Sequence, residues 1–164
     1  MDFFEVIKKR ASVREYSDRP IEKERIEKIV DAARLAPTAR GEEPWEFVVV
    51  TDKNKIKELA AITDHGKFLA GATAGIAVFC KDTKYYLEDG SAATENILLA
   101  AASLGIVSCW IAGDKKPYAV DIAKALGVKE GLKLVSIVSL GYPRGEVKAH
   151  SKRPLEEVLH WEKF

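Results

Sequence analysis

The segment that most constrains this chain runs from Asp89 to Leu104. It reads as one helix closed by Gly105, a residue suited to the position just past a helix end. Ala92, Ala93, Ile97, Leu98, Leu99, Ala100, Ala101 and Ala102 leave small or apolar side chains on nearly every face of it. A helix covered on one side only keeps a polar stripe toward water, so this one is expected to be buried on several sides. The pattern therefore predicts a central helix at a subunit interface, with the rest of the chain built around it.

What surrounds that helix alternates irregularly. Asp2–Lys9 carries Phe3, Phe4 and Ile7 at helical spacing. Glu22 and Glu24 open a second helix, where acids complement the helix dipole. Its apolar side is Ile26, Ile29, Val30, Ala33 and Leu35, and Pro37 stops it. Lys53–Ala61 reads as a short helix and Phe68–Ala72 as a weaker one. Another is expected after Asp114–Pro117, with Pro117 in its first turn and Gly127 past its end. Trp45–Val50, Gly75–Cys80, Val107–Ile111 and Leu134–Leu140 are β-branched, apolar runs of strand length. Such an order predicts an α/β or α+β fold, and 164 residues suit one domain.

Composition narrows the function classes. The chain is 47% hydrophobic and 31% charged, which argues against disorder. Its formal net charge of +1 provides no global field for nucleic acid or an anionic membrane, so any anion site must be local. The longest nearly apolar stretch, Ile97–Ile111, is broken by Ser103, Gly105 and Ser108 and is too short to span a bilayer. Met1–Lys8 has no apolar run of leader length, and the chain reads as cytoplasmic. Cys80 and Cys109 sit in apolar runs without CxxC spacing, as buried reduced thiols do. His65, His150 and His160 do not cluster, so no metal site is expected. The tail from Lys148 ends in Val158, Leu159, Trp161 and Phe164, and is expected to dock on its own domain or on a partner subunit.

Four segments carry candidate chemistry. Arg10-Ala11-Ser12-Val13-Arg14 follows a helix end. Two guanidinium forks with a hydroxyl between them suit a phosphate dianion, although a solvated basic loop has the same composition. Arg34–Phe47 contains a Pro-stopped helix, a Gly-containing loop and a strand opening with Trp45-x-Phe47, which frames a flat ring or simply buries a core Trp. The strand ending at Ala112-Gly113 lets backbone N–H groups approach a planar ligand, or leads into an ordinary turn. Ser151-Lys152-Arg153-Pro154 is a second basic patch. No GxGxxG, P-loop or GxSxG sequence is present.

In register, these segments resemble the nitroreductase family of FMN-dependent oxidoreductases. Arg10-Ala11-Ser12-Val13-Arg14 followed by Tyr16 resembles its opening motif. Ala36-Pro37-Thr38 through Pro44-Trp45-Glu46-Phe47 resembles its second block. Asp89-Gly90-x-Ala92 leading to Asn96-Ile97-Leu98-Leu99-Ala100-Ala101 resembles its central helix. Ser108–Ile111, Leu140–Pro143 and Arg153–Val158 resemble its later segments.

The resemblance implies an α+β fold with helices around a mixed, mostly antiparallel central sheet, in an intertwined homodimer holding two FMN molecules at its interface. It implies that Arg10, Ser12 and Arg14 hold the phosphate and ribityl–pyrimidine side, joined by Arg153 and Lys152. Pro37, Thr38 and Ala39 would come from the other subunit, and Gly41 would also line the cofactor, standing where the family often has an Asn that reaches the flavin's pyrimidine edge, so that this bond is absent or replaced. Ala112 and Gly113 would present N–H groups to flavin N5. NAD(P)H would deliver a hydride, and a nitroaromatic or quinone-type small-molecule electron acceptor would remove it in a ping-pong cycle. Water would supply the protons, so no residue is named as general acid or base. Glu43 replaces a frequent Gln, and the stretch from Cys80 to Asp89 leaves little room for the usual helical insertion, so a more open site is expected. Two alternatives are other FMN chemistry on the same fold, dehalogenation or flavin fragmentation, and a non-catalytic flavin-binding protein. No sequence feature marks a site for the 2′-phosphate of NADPH.

Overall fold

A computed structural model describes residues 2–164. Five α-helices and four strands follow in the order α1 (Phe3–Lys9), α2 (Lys23–Arg34), β1 (Trp45–Val50), α3 (Lys53–Ile62), β2 (Ala74–Lys81), α4 (Tyr86–Ser103), β3 (Val107–Ala112), α5 (Ala119–Ala125) and β4 (Leu132–Gly141). The expected Phe68–Ala72 helix is a 3-10 segment at Lys67–Gly71. Pro117 does not enter the first turn of α5, since Tyr118 is the residue that caps Ala119–Ala125.

The strands form one sheet in the order β1-β2-β4-β3, with every strand pairing antiparallel. The parallel component is an isolated bridge between Ser12 and Ser108 at the β3 edge. β2 and β4 occupy the centre, which explains their near-continuous apolar runs: both faces of these strands are covered. One face packs under α2 and α4 through Ile26, Ile29, Ile76, Val78, Ile97 and Val138. The other packs under α3, the 3-10 segment and α5 through Ile56, Leu59, Leu69, Phe79, Ile122 and Ile137. The fold is thus α+β with helical layers on both sides of an antiparallel sheet.

α4 lies close against the sheet. A Cβ at Gly90 would stand 2.7 Å from Val135 Cγ2 and 3.0 Å from Cys80 Sγ, so only glycine allows that approach. Asn96 Nδ2 donates to the Ala32 carbonyl at the end of α2, and Arg25 donates to the Leu104 carbonyl at the end of α4. Both helices thereby have a C-terminal carbonyl satisfied by the other. The remaining side of α4, including Leu99 and Ala102, is half-exposed.

Other apolar groups are left uncovered within one protomer. Phe3, Phe4 and Ile7 of α1 are exposed, and so are Leu155, Val158, Leu159, Trp161 and Phe164 of the tail. The expectation that the tail docks on its own domain is therefore not met: residues 148–164 are exposed throughout. A short 3-10 turn at Leu155–Glu157 is their local structure.

Candidate functional site

The stretch from Arg10 to Tyr16 is laid along the open edge of β3. The Val13 N–H donates to the Ser108 carbonyl at 2.9 Å, beside the Ser12–Ser108 bridge. Tyr16 is buried beneath it, its hydroxyl 2.7 Å from the Val13 carbonyl and 2.6 Å from Ser139 Oγ. Ala11 is buried, so the two-residue alternation of extended chain turns Arg10, Ser12 and Arg14 away from the core together. Burial pushes the Cys109 thiol pKa up, while the Arg14 and Arg10 charges and the Ser12 hydroxyl pull it down.

Two clefts open beside this stretch, on either side of Pro143 and Val147. Arg10 lines one of about 230 Å³. Ser12 and Arg14 line the other, of about 300 Å³, together with Arg144 and Lys148 and the acids Glu15 and Glu146. A third, smaller cleft of about 160 Å³ continues from Arg14 to His65, Phe68, Trp110, Ala112, Lys116 and Tyr118. The Arg14 guanidinium stands 5.4 Å over the Phe68 ring. His65, Phe68, Trp110, Lys116 and Tyr118 were not singled out by the sequence. Trp110 alone had a legible signal, since it is the outward residue between buried Cys109 and Ile111.

The end of β3 shows how the fold shapes this cleft. The pairing of β2 with β4 shifts between Val78 and Phe79, leaving Val135 as an extra residue on β4. The Val135 carbonyl accepts the N–H groups of Gly113 at 3.0 Å and Asp114 at 3.2 Å. Bulges commonly redirect a chain in this way next to a site. The Gly113 N–H is therefore consumed inside the sheet and does not face a ligand, contrary to expectation. Gly113 is required for close packing instead: a Cβ there would stand 2.5 Å from Leu134 Cγ. Antiparallel strands alternate the side to which their backbone groups point. With Gly113 turned toward β4, the N–H of Ala112 points to the open edge. The Tyr118 hydroxyl fixes that residue by donating to the Ala112 carbonyl.

The Pro37–Glu43 loop lies elsewhere, against the start of α4. Pro37 and Gly41 are exposed, and Thr38 and Ala39 are half-buried. Arg40, Gly41 and Glu43 all have positive φ, at 60°, 67° and 45°, which is unusual for the two that are not glycine, Arg40 and Glu43. Asp89, also missed as a loop anchor, is 4% exposed and accepts the Ala39 N–H through Oδ1 at 2.9 Å. Its Oδ2 is buried without a hydrogen-bond partner. Trp45 packs in the core against α2 and α4 and stacks on Phe47, so it does not wall a ligand cleft. Lys152 and Arg153 lie on the exposed tail and line none of the three clefts that hold Arg10, Ser12 and Arg14. Within one protomer the tail reaches the Arg10–Arg14 stretch at its first residue, Lys148, but not at Lys152 or Arg153, and among the described residues no shared cleft joins the 37–41 loop to that stretch.

Among the described residues, no group of His, Cys, Asp and Glu side chains is placed to hold a metal ion, and no helix is long and apolar enough to cross a membrane.

Known proteins share both sequence and fold with this chain. The sequence model of the nitroreductase family matches residues 7–75 and 67–142. A protein of Archaeoglobus fulgidus with the provisional name NADH dehydrogenase/NAD(P)H nitroreductase is 44% identical over 145 residues, covering 84% of this chain and 83% of its own. An FMN-dependent nitroreductase of Clostridium difficile superposes with a TM-score of 0.89 at 34% identity, covering 97% of this chain and 98% of its own. A provisionally named nitroreductase of Desulfovibrio desulfuricans, solved in complex with FMN, superposes with a TM-score of 0.87 at 29% identity. The match covers 100% of this chain and 98% of that one.

Proposed function

The chain belongs to the nitroreductase family, and on that premise we propose an FMN-dependent oxidoreductase that takes reducing equivalents from NAD(P)H and passes them to a nitroaromatic or quinone-type acceptor. The observation that carries this reading is the outward row Arg10, Ser12 and Arg14, leading into the cleft lined by Phe68, Trp110 and Ala112. The donor set fits a phosphorylated flavin. Guanidinium forks and a hydroxyl suit the phosphate side, aromatic faces suit the ring, and the outward Ala112 N–H suits an acceptor atom on the ring edge. FMN would supply the two-electron chemistry. The chain's part is to bind it, orient it and leave its face open to small molecules. Ala112, fixed by Tyr118, is the orienting donor, without Gly113.

We read residues 1–164 as one FMN-binding domain, since both helical layers pack on the same sheet. We also propose a homodimer. Its support is the half-open side of α4, the exposed Phe3 and Phe4, and the uncovered apolar tail, which together exceed the scattered exposure usual on a monomer. A partner copy would bring its Pro37, Thr38, Ala39 and Gly41 to this protomer's Arg10–Arg14 stretch. The exposed tail would carry Lys152 and Arg153 into the paired site.

Purified protein supplied with FMN and then titrated anaerobically with NAD(P)H tests the function. The flavin absorbance band is expected to bleach and to return when a quinone or nitroaromatic is added. Protein that takes up no FMN, or bound FMN that no nicotinamide reduces, would overturn the reading. Light scattering at a dimer's mass supports the assembly, and a monomer at all concentrations contradicts it.

A further inference from the structure

A larger groove lies next to the cleft at Ala112. Residues from Gly113 through Leu134, with Tyr86, enclose about 650 Å³ between α5 and the start of β4. Lys116 lines both spaces, and Gly113 at the groove's edge is one residue, about 3.8 Å, from Ala112. The floor is apolar, formed by Ala119, Ala123, Val128 and Leu132. The rim is basic, formed by Lys115, Lys116, Lys124, Lys129 and Lys133, against the acids Asp114 and Glu130.

Most of that charge is unspent. Lys133 pairs with Asp82 at 2.7 Å, and the Asp114 carboxylate accepts from the Tyr86 hydroxyl. Among the described residues, no ion pair engages Lys115, Lys116, Lys124 or Lys129. Four unpaired cations thus face two carboxylates, Asp114 and Glu130, in a chain whose net charge is only +1. Lys115 is held at φ 56°, a backbone position that side chains other than glycine rarely take.

A lysine ammonium is a compact point charge suited to phosphate oxygens. An apolar floor within such a rim suits a planar base, and the volume lies in the range of small-molecule sites. We propose that this groove holds the adenosine diphosphate half of the nicotinamide dinucleotide, with its phosphates against Lys115, Lys116, Lys124 and Lys129, and that the extra ribose phosphate makes NADPH the preferred reductant. The proposal rests on the oxidoreductase reading above. It supplies a site for a phosphate that no sequence motif announced, because the four lysines are spread over a loop, a helix and a turn.

The test compares NADPH with N-benzyl-dihydronicotinamide, a reductant that carries no phosphate, on the FMN-loaded protein. In Lys124→Ala/Lys129→Ala, kcat/KM for NADPH is expected to fall about fivefold per lysine relative to the phosphate-free reductant, the size of an exposed charge pair. Added salt should narrow the difference. Calorimetry with NADP+, NAD+ and inorganic phosphate gives a second readout. NADP+ should bind more tightly than NAD+, and only weakly to the variant. Equal loss with both reductants, an unchanged KM for NADPH, or inorganic phosphate binding as tightly as NADP+ would overturn the proposal. Failure of the oxidoreductase reading looks different: neither nicotinamide reduces the wild-type flavin, before any lysine is changed.

Discussion

Replacing Tyr16 by Phe removes one oxygen from beneath the Arg10–Arg14 stretch. That oxygen meets the Val13 carbonyl at 2.7 Å and Ser139 Oγ at 2.6 Å, and Ser139 Oγ also lies 3.2 Å from the Cys109 carbonyl. The two hydroxyls own one proton each for three contacts, so two bonds are made at a time. In Tyr16→Phe the Ser139 proton still has the Cys109 carbonyl, but the Val13 carbonyl loses its hydroxyl partner. One net hydrogen bond is lost, at about 0.5–1.5 kcal/mol, and an acceptor is left unsatisfied, at about 1–3 kcal/mol if fully buried. The second figure already contains the first, and with Val13 half-buried the expected cost is about 2 kcal/mol. For a chain of this length that lowers Tm by about 4–8 °C. Thermal unfolding measures it, and FMN titration of the folded variant should show weaker binding, because Ser12 and Arg14 flank the freed carbonyl. An unchanged Tm together with unchanged FMN affinity would refute the claim that Tyr16 fixes this stretch.

Two further outcomes follow from burial. Gly113→Ala places a Cβ 2.5 Å from Leu134 Cγ and 3.0 Å from the Val135 backbone carbon, and overpacking of this kind costs about 1–3 kcal/mol. Adding Leu134→Ala should cost less in that background than in wild type, as a double-mutant cycle of unfolding energies will report; additive costs would show that the two sites do not meet. The Cys80 thiol pKa is pushed up from 9.0 to about 12, chiefly by burial and also by the Asp89 charge. A raised folded-state pKa stabilises fully below pH 9 and is lost as pH rises toward 12. Stability should therefore decline over that window, less steeply in Cys80→Ala, and a thiol reagent should leave both cysteines untouched at neutral pH until the protein unfolds.

Much of this was legible in the residues, and the rest was hidden for identifiable reasons. The central strands β2 and β4 were found because apolar residues run continuously where both sheet faces are covered, and the edge strands β1 and β3 because β-branched and aromatic residues cluster in short runs. α4 was found because its small residues leave no polar stripe, although it begins at Tyr86, three residues before the expected Asp89. The Arg10, Ser12 and Arg14 row was legible because two guanidinium forks flank a hydroxyl just past a helix end, whereas its extended lie along the β3 edge depends on the distant partner Ser108. By contrast, the role of Gly113 depended on a bulge on another strand, at Val135, which no local pattern marks. His65, Phe68, Trp110 and Tyr118 meet only because three distant segments converge on the β3 edge. The tail was read as apolar and as docking on its own domain or on a partner subunit; its exposure within the protomer removes the first alternative, which composition alone does not separate from the second.

The cofactor grip is tested most directly by titrating FMN, through quenching of its fluorescence, into wild-type protein, Arg14→Ala and the charge-matched control Lys57→Ala. Loss of charge-assisted hydrogen bonds worth about 1.5–3 kcal/mol predicts a Kd about ten- to a hundredfold weaker for Arg14→Ala, with Lys57→Ala unchanged. Equal affinity in all three proteins would contradict the assignment of the Arg10–Arg14 row as the flavin's anchor.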